Sequence, residues 1–161
     1  MTVHDIDHGW KRIKKELHLA KNSYTKVGIQ HDAGKNEGVS IAEYAANNEF
    51  GVPERYIPAR PFMRSAFDMS RNKIKKIQTS QYDKILQGHS TVKKSLAILG
   101  EYMEGQVKKR ITDIKTPKNK LSTILAKSNY RKPYKTNPLI DTGMMRASVR
   151  HVEVINDKTG K

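Results

Sequence analysis

Residues 40–67, SIAEYAANNEFGVPERYIPARPFMRSAF, constrain the path of this chain more than any other segment. Ser40 and Glu43 have the spacing of a capping box, in which each side chain satisfies a free backbone N–H of the first helical turn. Ile41, Ala42, Tyr44, Ala45 and Ala46 then predict a helix of about two turns, ended by Gly51 in a left-handed conformation. Pro53, Pro58 and Pro61 each hold the preceding residue extended, so the connection is stiff. Pro61 suits the first position of the next helix, where its missing N–H costs nothing. Phe62, Met63, Ala66 and Phe67 aim that helix at a core, and Phe50, Pro58 and Pro61 read as packing residues beside them. Of the six charged residues in the segment, Glu49 and Arg60 are the two read as a charge contact, within the fold or across a subunit boundary.

With 161 residues, the chain is expected to form one domain spanning 1–161. Hydrophobic residues make up 36% and charged residues 29%, enough for a core beneath a heavily charged surface. The net charge of +15 favours a polyanionic neighbour, either nucleic acid or an acidic protein face. The plainer reading is a basic, solvated surface. Without cysteine there are no disulfides, thiolate zinc sites or cysteine nucleophiles. The N-terminal residues lack the apolar run of a signal peptide, and no segment approaches the ~20 apolar residues of a membrane span. A soluble protein is expected.

An amphipathic helix is read over residues 4–20 from Ile6, Trp10, Ile13, Leu17 and Ala20, with Lys11, Arg12, Lys14 and Lys15 outside. Residues 24–30 read as a strand, where Gly28 signals a bulge or a close neighbour. A helix over 62–77 precedes a weaker piece near Ile85 and Leu86. Ser90 then caps the clearest helix, with Val92, Leu96, Leu99, Met103, Val107, Ile111 and Ile114 at three- and four-residue intervals. Gly100 and Gly105 inside it imply a close crossing or a bend. Residues 108–135 carry ten cations against Asp113 alone, and a long basic loop is expected over about 115–138, with a short helical piece at 122–127. One turn after Asp141 or Thr142, a strand over 147–155 and a frayed tail over about 156–161 complete the chain. The fold class is α+β: a small mixed or antiparallel sheet flanked by an N-terminal helix and a long central helix, with a long basic loop. Two strands alone are marginal, so at least one further strand pairing is expected, which self-association could supply.

No catalytic, cofactor or metal site is assigned. His4 and His8 have metal-compatible spacing but no third ligand. The 34–38 segment, GKNEG, lacks P-loop spacing, and the carboxylates are dispersed rather than paired for acid–base work. PARP at 58–61 matches a polyproline ligand, yet in an apolar context it reads as a rigid connection. The basic run can bind phosphates, with Tyr130 and Tyr134 the few aromatics for stacking, so contacts to nucleic acid would be to the backbone.

Taken together, AEYAANNEFG and IPARPFMRSAF, followed by TIxxK-like residues Thr123, Ile124 and Lys127 and by PLIDTG, resemble the tail-completion or neck (head–tail joining, virion morphogenesis) proteins of tailed bacteriophages. Glu49, Phe50, Gly51, Pro58, Arg60, Pro61, Phe62, Leu139, Asp141, Thr142 and Gly143 carry the likeness. Met145 departs from it, standing where leucine is more usual. The resemblance implies a structural virion protein, without catalysis or cofactors, made in the bacterial host cytoplasm. It would form a six-fold ring at the neck or head-proximal end of the tail, against neighbouring neck, connector, tail-tube or tail-terminator proteins. Glu49, Arg60, Asp141 and Thr142 become subunit or partner interface candidates. Lys108, Lys109, Arg110, Lys115, Lys118, Lys120, Lys127, Arg131, Lys132 and Lys135 become candidates to face genomic DNA in the lumen. A basic nucleic-acid-binding protein without sequence preference is the alternative.

Overall fold

A computed structural model describes residues 7, 9–36, 38–128 and 136–156. The fold is α+β. Helix α1 (Trp10–Asn22) leads into strand β1 (Tyr24–Ile29) and a minimal hairpin, β2 (Lys35–Asn36) with β3 (Val39–Ser40). Helix α2 (Ile41–Phe50) follows, then the long pair α3 (Phe62–Leu86) and α4 (Val92–Asp113), the short α5 (Leu121–Ser128), the single turn α6 (Met144–Ala147) and strand β4 (Val149–Val154). The main sheet is β1 antiparallel to β4, with Tyr24 opposite Val154 and Ile29 opposite Val149. That sheet and α3 both pack on α4, which is the central element.

Apolar burial is concentrated where α3 begins and α4 ends. Phe62 and Ala66 of α3 meet Val107 and Ile111 of α4, Ile41 and Ala45 of α2, and Leu139, Met145 and Val149 from the C-terminal segment. Gly100 lets the sheet approach α4 closely: a Cβ there would lie 2.6 Å from the His151 ring and 2.7 Å from Thr25 Oγ1. Gly105 has open space instead, so the close crossing expected of both glycines belongs to Gly100 alone. At Gly28 the strand register runs unbroken, and the near neighbour is the Met63 side chain.

At the opposite end, α1 fastens the turn between α3 and α4. Arg12 donates to the carbonyls of Ile85 and Leu86 at 2.8 and 3.0 Å, where α3 ends. Glu16 accepts from the Val92 N–H at 2.7 Å, where α4 begins. Each charge therefore meets the helix terminus whose dipole it complements. Arg12 is thus a structural residue rather than part of an outer basic face.

Other expectations are corrected. Helix α1 begins at Trp10, with Asp7 Oδ1 accepting from the Trp10 and Lys11 N–H groups. The Ser40 side chain makes no capping bond, and Pro61 stands at the N-cap of α3 rather than inside its first turn. Helix α3 continues unbroken to Leu86, because Gln81 and Ile85 keep an inward face through the polar stretch. Thr91, not Ser90, caps α4, accepting from the Lys94 N–H. Phe62 is fully buried, whereas Phe50 is 68% exposed and Phe67 49%; Pro58 and Pro61 also lie at the surface. Their apolar faces are partly covered by guanidinium groups, Arg64 over Phe50 and Arg71 over Phe67. The tail over 157–161, together with His4 and His8, lies outside the described residues.

Candidate assembly site

The motif that joins α2 to α3 is a polar joint. Helix α2 ends at Gly51, whose φ of 77° suits glycine, and a Cβ there would sit 2.8 Å from the Ala59 backbone nitrogen. The chain then folds back on itself: Val52 and Ile57 exchange backbone hydrogen bonds at 2.8 and 3.0 Å around a short 3₁₀ turn. Arg60 returns to α2 through its own N–H, which donates to the Asn48 carbonyl at 2.6 Å. Stiffness here comes from this closed loop as well as from the prolines.

Glu49 and Arg60 are inside that joint. The Glu49 carboxylate accepts from the Met63 and Arg64 N–H groups at 2.9 and 3.1 Å, and from Arg64 Nε at 3.1 Å. It therefore caps α3 from another helix, a role Pro61 cannot perform with no polar side chain. The Arg60 guanidinium donates to the Pro117 and Lys118 carbonyls at 2.8 and 3.3 Å, to Asn119 Oδ1 at 3.1 Å and to Asn48 Oδ1 at 3.3 Å. Burial pulls its pKa below the ordinary arginine value, opposed by Tyr44. Both residues were candidates to lie at an interface. Instead their polar atoms are used within the chain, Glu49 to start α3 and Arg60 to hold the segment after α4.

The same joint reaches the C-terminal motif. Asn119 Nδ2 approaches the Pro138 carbonyl at 3.5 Å, while Leu139 and Ile140 enter the core. Asn137 adds a second tie, donating to the Thr112 carbonyl at 2.9 Å and accepting from the Leu139 N–H. Asn48, Asn119 and Asn137 were not singled out in the sequence. A short amide is unremarkable in a list of polar residues, and only the closed loop reveals its partner.

Asp141 and Thr142 are the interface candidates that reach the surface. They line a cavity of about 220 Å³ with Val39, Ile41, Tyr44 and Met144. Burial pushes the Tyr44 hydroxyl above its usual pKa, a hydrogen bond with Asn48 opposes this, and the charge of Asp141 adds to the rise. The hole is small and apolar with one acid beside it, suited to a protruding side chain.

Among the described residues, the basic candidates differ in their surroundings. Lys108 pairs with Glu104 at 2.5 Å beneath the sheet, and Arg110 Nε donates to Ser65 Oγ at 2.9 Å against α3. Lys109, Lys115, Lys118 and Lys120 are exposed, with Lys120 4.8 Å from the centre of the exposed Tyr56 ring. The Lys127 side chain and the whole of Arg131, Lys132 and Lys135 lie outside the described residues. Among the described residues, no cluster of His, Asp and Glu is arranged to hold a metal ion, and no helix is long and apolar enough to cross a membrane. No family model, curated protein or solved structure matches this chain.

Proposed function

We propose that this protein is a structural component of a tailed-phage virion that joins head to tail, assembling as a ring at the neck through which DNA passes. The observation that carries this reading is the meeting of the two distant motifs of the resemblance. NNEFG and IPARPF share one joint, through Asn119, with PLIDTG, and Ile41, Phe62, Leu139 and Met145 share one core. Such a unit supplies rigidity around a surface hole at Asp141 and Thr142, which suits repeated contact around an axis. The exposed lysines at 115, 118 and 120 form the surface that would tolerate passing DNA. Their lysine ammonium groups would touch phosphates without reading bases.

The test is the assembly state of the purified chain, alone and with the adjacent virion proteins, by mass photometry and electron microscopy. Rings of fixed stoichiometry are expected, and a persistent monomer under every such pairing would refute the reading. A second reading, nonspecific nucleic-acid binding, draws on the net charge of +15. It predicts strong binding of the isolated monomer to DNA, falling by orders of magnitude with added salt.

A further inference from the structure

The edge of β1 away from β4 forms no strand pairing among the described residues. It borders an open groove of about 980 Å³. Thr25 and Val27 of β1 form one wall, Phe67 and Ile74 of α3 the other, and Leu99 and Met103 of α4 the floor. No residue of β4 contributes, so the groove lies on the unpaired side of β1. The walls meet where Met63 crowds Gly28. Along α3 the lining extends from Met63 to Gln78, about 22 Å at the helical rise, the length of a strand of roughly six or seven residues.

We infer that this groove receives an acidic, extended segment of a different protein, which adds to the open edge of β1 as a third strand. An unpaired edge beside an apolar trough provides both parts of strand addition: backbone hydrogen bonds for affinity and a surface for alternate side chains. A two-stranded sheet gains most from such an addition. Charge decides the occupant. The groove carries Arg64, Arg71 and Lys75 against Asp68. With Arg64 matched by Glu49 and Arg71 by Asp68, Lys75 leaves the rim positive within a chain of net charge +15. The chain's own described strands, YTKVGI, KN, VS and VRHVEV, are basic or without net acidic charge. Among the described strands, a second copy therefore brings none of acidic charge. This inference does not depend on the ring reading, since it requires one partner and no symmetry.

The probe is a fluorescent nine-residue peptide of alternating glutamate and valine, titrated against the full-length protein by anisotropy. A Kd below about 0.1 mM is expected. Two further peptides carry backbone N-methyl groups on alternate residues, one in each register. Strand addition predicts that one register loses at least tenfold in affinity while the other keeps it. The lysine–valine counterpart should not bind. Charge reversal at the exposed rim, Arg71→Glu with Lys75→Glu, should weaken the acidic peptide about tenfold while circular dichroism stays unchanged. Absence of binding at millimolar peptide would overturn the inference. So would equal affinity of all three glutamate peptides, which would reveal plain charge attraction, or self-association of the protein that the peptide displaces, which would make a second copy the occupant.

Discussion

The two ends of the α3–α4 pair are held by different interactions. At one end, Phe62, Ile111, Leu139 and Val149 are almost fully buried in one cluster drawing on distant parts of the chain. At the other end, Ile85 and Val92 are buried beside polar Gln81 and Ser90, and Gln81 Oε1 accepts from Ser90 and Ser95 at 3.3 Å each. There α1 supplies the fastening through two charged side chains. Apolar burial is nondirectional and cooperative, whereas a few capping bonds can open locally. The apolar end around Phe62 and Ile111, the base, should therefore set global stability, and the end fastened by α1, the tip, should loosen by itself.

The largest expected effect is at the base. Phe62→Ala should cost about 3–5 kcal/mol, read as a shift of the chemical-unfolding midpoint. A change below about 1 kcal/mol would show that the base is not the cooperative core. Arg60→Ala should cost about 2–3 kcal/mol by leaving the Pro117 and Lys118 carbonyls without their donor. Hydrogen exchange should then rise across residues 115–120. Unchanged exchange there would separate Arg60 from the segment after α4.

Glycines sharpen the contrast within α4. Gly100→Ala must displace His151 or Thr25 and should destabilise by about 1–3 kcal/mol. Gly105→Ala meets open space and should stabilise by up to about 1 kcal/mol through helix propensity. The same sign for both would refute the close crossing. At the tip, Arg12→Ala should cost about 1 kcal/mol, with exchange rising over residues 83–92 ahead of the base. A uniform rise throughout the chain would erase the distinction between the ends.

Acid provides the smallest effect. Burial raises the pKa of Glu104, but hydrogen bonds from Lys108 and His151 outweigh it and leave the carboxyl below its ordinary value of 4.5. Its contribution is therefore full above the unfolded value and is lost as pH falls through the lower folded one. Between about pH 5 and about pH 3, the melting temperature of the wild type should fall more steeply than that of Glu104→Gln. Parallel curves would contradict the assignment.

The parts that could be read from the sequence are those where one-dimensional spacing maps directly onto a buried face. Val92, Met103, Val107 and Ile111 recur with the helical period and lie on the inner side of α4. The ranges of β1 and β4 are likewise accessible from β-forming residues and flanking turns, whereas the two-residue strands β2 and β3 are too short to leave such a pattern. The polar joint was not, because a buried arginine and an exposed one have the same letter. Arg60 differs from Arg71 only through four acceptors brought from Asn48 and residues 117–119. Arg12 reads as part of an exposed helical face, and Glu16 draws no notice, because their partners, two helix ends, lie more than seventy residues away. Phe50 and Phe67 misled in the opposite direction, since an aromatic beside a core motif is not necessarily turned toward it. The groove beside β1 depends on which edge β4 leaves open, which strand spacing does not encode.

The most direct test of the proposed joining role is deletion of the encoding gene, followed by electron microscopy of the particles that form without it. DNA-filled heads and separate, complete tails are expected, with infectivity restored by the wild-type protein supplied in trans. Infectious particles at normal yield in the absence of the protein would contradict it.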